Sequence, residues 1–245
     1  MRHNRPGSHE GPYTRPADVV QSHFNGCIAA TAWQRGDAQA LLPSELKLDD
    51  KSPDQATVIF LIGEQSRCAA MLGQVPVVAS TDYLEMLIAV AGVRHPDAPA
   101  PFVYVAHGYS TSALTVFNGN HFYGFAKQAA HICWQEPFYL VTDRSQRLLW
   151  QAQVGLEGNG NDSLAWQNLQ RVFEAPILGR TARGSFVVSY FDWYASPGSY
   201  RSAAVRMCHE GIDDKRVEQR EWTSLPQAGI RLDGLRWRLS WPTPL

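Results

Sequence analysis

The sequence lacks long apolar runs and has little charge of either sign. No segment approaches the roughly eighteen consecutive apolar residues that a membrane-spanning helix needs. Its 22 basic and 23 acidic residues nearly cancel, so the formal net charge is −1. A chain this close to neutral has no electrostatic reason to bind nucleic acid or an anionic membrane. We therefore expect a soluble protein with neither nucleic acid nor membrane as a partner.

Motifs for metals, phosphates and acyl transfer are missing as well. The four cysteines (Cys27, Cys68, Cys133, Cys208) show no C-x-x-C spacing and predict buried free thiols. The eight histidines form neither H-x-x-x-H nor H-E-x-x-H, which argues against a zinc site. No G-x-S-x-G elbow and no glycine-rich phosphate loop between a strand and a helix are present. We predict no metal and no cofactor.

The N-terminal residues 1–17 are rich in proline, glycine, histidine and arginine, and they predict a flexible leader. They contain no apolar stretch of the kind that a signal peptide has, so the default expectation is a cytoplasmic protein. The remaining residues, 18–245, fall within the length of one β-rich domain, and we predict a single domain there.

Most of this domain has the patterning of β-strands. Residues 57–62 form a continuous apolar run of strand length, and residues 102–107 form another. Residues 138–142 and 148–156 predict the two arms of a hairpin. Near the C-terminus, one strand face carries Leu235, Trp237, Leu239 and Trp241, and the other carries Arg236, Arg238 and Ser240.

Helical patterns are short and few. Residues 37–43 predict a helix that ends at Pro43, and residues 111–121 predict another with Ser112 as its N-cap. Residues 84–93 fit a buried strand or a helix equally well. The sum is a β-rich (α+β) fold, built on a curved antiparallel sheet or barrel with few short helices.

Lysine is scarce, and one lysine lies in unusual surroundings. The chain has four lysines among its 22 basic residues. Lys47, Lys51 and Lys215 stand in polar segments, whereas Lys127 is embedded in aromatic and small apolar residues. A lysine in such a place either extends its amine to solvent or keeps a desolvated amine, and burial favours the neutral, nucleophilic form.

Around Lys127 the sequence resembles the acetoacetate decarboxylase superfamily. Residues 116–128, VFNGNHFYGFAKQ, are similar to that family's signature, a helix with alanine and glycine followed by [GA]-[FY]-P-K-K. Two upstream segments also resemble the family in the same order: DYLEM at 82–86 and ALLPSELKL at 40–48. The resemblance runs from about Phe24 to Val141. It implies the family's fold, a homo-oligomer of at least two subunits, Lys127 as the Schiff-base lysine and Glu85 as an active-site glutamate.

The sequence also departs from the family pattern. Gln128 replaces a second lysine, whose positive charge helps to activate the nucleophile in the family, and Ala126 replaces a proline. The family's active-site arginine falls near Phe24 and Asn25, and a second glutamate falls near Ala70. With these charges missing, we do not expect simple decarboxylation of acetoacetate.

Other polar residues near these motifs are candidates for binding the substrate. His107 and His121 are possible acids or bases, and Tyr83 and Tyr123 are possible pocket walls that offer a hydroxyl. Gln128 is a further candidate because it follows the lysine directly.

Three functions remain open on the sequence alone. The first is a lysine-dependent enzyme that forms a Schiff base with an oxo acid or ketone and catalyses decarboxylation, aldol or dehydration chemistry. The second is a biosynthetic cyclase, isomerase or hydratase that uses acid–base residues in the same pocket without an imine. The third is a protein that binds a small molecule without turnover.

Overall fold

Strands make up most of the chain in the computed structural model. It describes residues 16–49, 53–72, 75–79, 82–156, 163–194, 199–210 and 221–245. The predicted leader lies almost entirely outside these residues, and so do Lys51 and Lys215. No helix among the described residues is long and apolar enough to cross a membrane.

The elements follow one another as sixteen strands and three α-helices in the described residues. The strands are β1 (Asp18–Gln34), β2 (Lys47–Leu48), β3 (Gln55–Leu72), β4 (Val75–Ala79), β5 (Tyr83–Arg94), β6 (Phe102–Ser110), β7 (Lys127–Ala129), β8 (His131–Gln135), β9 (Phe138–Thr142), β10 (Leu148–Leu156), β11 (Ile177–Arg180), β12 (Phe186–Ser189), β13 (Phe191–Tyr194), β14 (Tyr200–His209), β15 (Glu221–Ser240) and β16 (Thr243–Pro244). The helices are α1 (Arg35–Ala40), α2 (Ala113–Asn118) and α3 (Ser163–Phe173), and a π-helical turn (Gly119–Tyr123) continues α2.

These strands form one large sheet. Its main path runs β16-β12-β11-β6-β5-β3-β1-β15-β14-β10-β9-β8, with β2, β4, β7 and β13 attached at the side. Neighbours are antiparallel except for β6 with β7 and β6 with β11. The predicted strands at 102–107, 138–142 and 148–156 therefore belong to the same sheet, as β6, β9 and β10. The prediction of a β-rich, mostly antiparallel fold with few short helices is confirmed.

The central strands bury side chains on both faces. In β3, Phe60 and Ile62 belong to one apolar core, while Ile59 and Leu61 belong to a second core on the opposite face. A strand with two buried faces has no polar alternation, which explains the continuous apolar run at residues 57–62. The same arrangement settles residues 84–93 as a strand, because β5 pairs with both β3 and β6.

Some local predictions need correction. The pattern at residues 111–121 predicted one helix, but α2 ends at Asn118 and gives way to the π-helical turn. The Ser112 cap is present, with its hydroxyl accepting from the Thr115 amide at 3.3 Å. Helix α3 was not predicted. Trp241 lies beyond the end of β15 and is exposed, so it does not share the buried face of Trp237.

None of the four cysteines, all of which lie among the described residues, forms a disulfide, but they are not all buried. Cys27 and Cys68 are buried, whereas Cys133 is exposed and Cys208 is half-buried. Burial raises the pKa of the Cys27 thiol to about 12, so this thiol remains protonated and unreactive at neutral pH.

Because β3 is buried on both faces at its centre and exposed at its end, we predict that substitutions at the two places change the free energy of unfolding by very different amounts. Phe60→Ala removes a fully buried ring and leaves a cavity, so it should lower the free energy of unfolding by about 3–5 kcal/mol. Leu72→Ala, at the exposed end of the same strand, should change it by less than about 0.5 kcal/mol. Urea unfolding measures both, and equal effects would contradict the assignment of Phe60 to the core.

Candidate active site

Lys127 is positioned by an unusual stretch of backbone. After the π-helical turn, Gly124 has a φ of 69° and Ala126 has a φ of 29°, before the chain enters β7. The Asn120 side chain holds the lysine backbone from both sides, accepting from the Lys127 amide at 2.6 Å and donating to the Lys127 carbonyl at 2.8 Å. A left-handed conformation is rare for alanine, so these hydrogen bonds and the pairing of β7 with β6 must maintain the turn.

Two glycines make room for the lysine stem. A Cβ at Gly108 would lie 2.8 Å from Lys127 Cγ, and a Cβ at Gly119 would lie 2.7 Å from Lys127 Cδ. The stem therefore passes through a gap that the absence of two side chains creates. Its amine then lies over the Phe125 ring, 5.8 Å from the centroid, which is within the range of a cation–π contact.

Lys127 meets Glu85 in the interior. Lys127 Nζ and Glu85 Oε1 form an ion pair, and the two side chains are only 7% and 4% exposed. The residues are 42 positions apart in sequence and reach each other because β5 and β7 both flank β6. A buried ion pair is weak evidence for stability, because desolvating two charges costs about as much as their attraction returns.

A second polar contact fixes the carboxylate from the opposite side. Gln65 Nε2 donates to Glu85 Oε2 at 3.4 Å, and Trp237 Nε1 donates to Gln65 Oε1 at 2.8 Å. Because the indole can only donate, it holds the Gln65 amide with its NH2 group toward the carboxylate. A series of polar contacts thus runs from Trp237 through Gln65 and Glu85 to the amine of Lys127.

These residues form part of the wall of a largely apolar cavity of about 310 Å³. The wall is built mainly from odd-numbered residues of β3, β5 and β6, joined by Cys68 and Ala70 of β3 beyond the left-handed residue Arg67. Seven aromatic side chains contribute to its described part. Those aromatic side chains are Tyr83, Tyr123, Phe125, Phe173, Phe191, Trp193 and Trp237. Ala70 and Leu114 are exposed lining residues and mark the mouth. Within the described wall, Lys127 is the one cation and Glu85 the one carboxylate.

The two tyrosines near the pair are neutral donors. Burial first, and then the negative charge of Glu85, raises the pKa of Tyr83 well above its usual value. Burial likewise raises the pKa of Tyr123. Both phenols therefore keep their protons throughout the neutral and mildly alkaline range.

Other proteins of known structure share the fold of this chain over nearly its whole length. Neither family models nor curated protein sequences match the chain. Solved structures do match: acetoacetate decarboxylase from Legionella pneumophila has a TM-score of 0.65 at 12% identity, covering 99% of this chain and 93% of that one. The chain has the acetoacetate decarboxylase fold.

Two further structures support that fold assignment. The enduracididine biosynthesis enzyme MppR matches with a TM-score of 0.61 at 14% identity, covering 99% of this chain and 94% of that one. An acetoacetate decarboxylase-like enzyme from Sphingomonas wittichii RW1 matches with a TM-score of 0.61 at 13% identity, over 98% of each chain. At such identities the likeness establishes the fold, and the chemistry must be argued from the residues of this chain.

The structure brings four of the seven predicted site residues to the cavity of this acetoacetate decarboxylase fold: Lys127, Glu85, Tyr83 and Tyr123. The other three lie elsewhere. His107 is half-buried in β6, His121 is exposed and stacks on Phe117, and Gln128 is exposed because its side chain alternates with that of Lys127 on β7.

Gln65 was not predicted from the sequence. The predicted strand ended at residue 62, but β3 continues to Leu72, and Gln65 follows Ile59 and Leu61 on the same face. Gln65 could have been recognised as a polar residue on an otherwise apolar face of the strand. That recognition would have required the correct end of β3, which the sequence pattern did not provide.

The buried pair predicts strong energetic coupling between its two members. Lys127→Met or Glu85→Gln alone should each lower the free energy of unfolding by about 3 kcal/mol, because each leaves one buried charge without its partner. The double variant should recover most of that loss, since it removes both charges and keeps an oxygen that can accept from Gln65. Urea unfolding of all four proteins measures the coupling. Additive effects of the two substitutions would contradict a closed ion pair.

Proposed function

We propose that this protein is a lysine-dependent enzyme that forms a Schiff base between Lys127 and a carbonyl substrate, with Glu85 as the proton acceptor. The observation that carries the proposal is the contact between the Lys127 amine and the Glu85 carboxylate at the wall of a largely apolar cavity. A nucleophilic amine needs a base within reach and a site where a carbonyl carbon can approach it.

The pair supplies the protons that imine formation requires. The ammonium of Lys127 passes one proton to Glu85, which leaves a neutral amine and a neutral acid, so no net charge is created in the apolar cavity. The amine lone pair then forms the C–N bond, and the carbonyl oxygen departs as water. Glu85 returns its proton to the imine nitrogen, which gives a cationic iminium beside a carboxylate.

The iminium can then act as an electron sink. Glu85, again a carboxylate, accepts a proton from the carbon next to the iminium carbon, and the electron pair of that C–H bond moves toward nitrogen to give a neutral enamine. Gln65 keeps the carboxylate in place during both transfers because its own orientation is held by Trp237. The enamine is the intermediate from which aldol and dehydration reactions proceed.

Similar structures support carbonyl chemistry in this fold. MppR has been solved with pyruvate and with the condensation product of pyruvate and imidazole 4-carboxaldehyde, at TM-scores of 0.58. Both ligands are carbonyl compounds or products of carbonyl condensation. For the present chain this supports an aldol-type reaction, and the assignment of roles depends on its own Lys127 and Glu85.

Two measurements on the variants test the proposal. Borohydride reduction with 4-phenylbutan-2-one should attach one adduct to the peptide that contains Lys127 and none to the other lysines. Deuterium exchange at the α-carbons of the ketone in D2O should fall at least tenfold in Lys127→Arg, which keeps the charge without the nucleophile, and in Glu85→Gln. Exchange that survives in Lys127→Arg and disappears in Glu85→Gln would replace the imine mechanism with acid–base catalysis.

The glycine gap predicts a second effect. Gly119→Ala should keep the fold, because the atoms that its Cβ would meet belong to the flexible lysine stem, but it should displace the amine and lower the rate of borohydride trapping at least tenfold. Gly36→Ala is the matched control, since a Cβ there meets nothing within 4 Å. Thermal unfolding verifies that both variants are folded. Equal trapping by the two variants would show that the position of the lysine stem is unimportant.

A further inference from the structure

We infer that the site accepts uncharged carbonyl compounds with an aromatic or similarly apolar body, and that it discriminates against oxo acids. The inference rests on the proposed function for the atom that reacts, and on the charge and shape of the cavity for the class of substrate. It narrows the chemistry to reactions that start from an enamine and lose no carboxylate.

The charge balance of the cavity is the first argument. Lys127 and Glu85 are the only charged residues in the described part of the wall, and they compensate each other. The cationic iminium that replaces the ammonium keeps the same charge, so Glu85 still compensates it. A substrate carboxylate would add a negative charge with no cation left to pair with it, and an uncompensated charge in an apolar interior is strongly unfavourable.

Two neutral donors beside the ion pair, Gln65 and Tyr83, are poorly placed to replace the missing cation. The Gln65 amide is already engaged with Glu85 and Trp237. Tyr83 lies on the same side of the cavity as Glu85, whose negative charge would repel a second carboxylate there. An acid group would therefore be buried against an existing negative charge, whereas a neutral carbonyl oxygen needs only one donor.

The walls provide the second argument. Phe173, Phe191, Trp193 and Trp237 present ring surfaces to the cavity, and Ile59, Leu61 and Val105 cover the sheet side. A volume of about 310 Å³ is at the lower end of small-molecule sites, so it suits one aromatic ring with a short chain. Such walls gain affinity from apolar and aromatic contact, which an acid of three or four carbons cannot supply.

A matched set of probes tests this inference. 4-Phenylbutan-2-one and 2-oxo-4-phenylbutanoate differ in a methyl group against a carboxylate, and methyl 2-oxo-4-phenylbutanoate restores neutrality while keeping the activated carbonyl. Binding to the Lys127→Arg variant, which keeps a positive charge beside Glu85 without the nucleophilic amine, reports recognition without imine formation when it is measured by calorimetry. The ketone and the ester should bind at least tenfold more tightly than the acid, equivalent to about 1.4 kcal/mol.

A designed cation provides the converse test. Leu114 is exposed, belongs to α2 and lines the mouth, so Leu114→Arg adds a positive charge at low risk to the fold. The ratio of the affinity for 2-oxo-4-phenylbutanoate to the affinity for 4-phenylbutan-2-one should be at least tenfold higher in this variant than in the parent protein. Leu114→Gln, which is polar but uncharged, is the matched control and should not gain affinity for the acid.

The outcomes separate this inference from the proposed function. Tighter binding of the ketone and the ester without borohydride trapping in the wild type would support the substrate class and overturn the imine. Trapping of the acid as efficiently as its ester would support the imine and overturn the inference. If the folded protein neither binds nor traps any of the probes, both are overturned.

Discussion

The structure depends on one constraint of strand geometry, namely that successive side chains of a strand point to opposite faces of the sheet. In this protein both faces of the central strands are buried, so each strand contributes alternate residues to two separate interiors. The interior around Ile59 and Leu61 contains the cavity, and along a regular stretch of strand only every second residue reaches it. Gln65, Glu85 and Lys127 all reach it, whereas Gln128 does not.

This constraint also decides what the sequence could reveal. The strands were predictable because their apolar and aromatic residues are local signals, and Lys127 was conspicuous as a lysine among rings. Glu85 was nominated by resemblance to a family and not by its own surroundings. Gln65 was missed because the apolar run ended before the strand did. Helix α3 was missed although Ala165 and Leu169, four residues apart, share a buried face. Pairing between distant strands, which brings the three polar residues together, leaves no trace in any local window.

The Lys127–Glu85 pair is not explained by stability. Two apolar side chains of similar volume would fill the same space with no desolvation cost, and such replacements are often neutral or stabilising. Around the pair, the backbone keeps Ala126 in a rare conformation, and glycines at 108 and 119 leave room for one lysine stem. Several unfavourable local features thus converge on the position of a single amine. Their convergence is understandable if the reactivity of that amine is what the fold maintains.

The positions at which the sequence departs from the acetoacetate decarboxylase pattern can now be located relative to the cavity. Phe24, near the position expected for an arginine, is fully buried in the core that surrounds the cavity. Ala70, near the position expected for a glutamate, lies at the cavity mouth, and Gln128 lies outside the cavity altogether. The first two positions carry apolar residues at or beside the cavity, so the Lys127–Glu85 pair is the whole of the fixed charge in the described part of its wall. On our proposal, a cavity with a self-compensating pair and aromatic walls can activate a carbonyl group, while its described wall offers no second cation to hold an anion beside it.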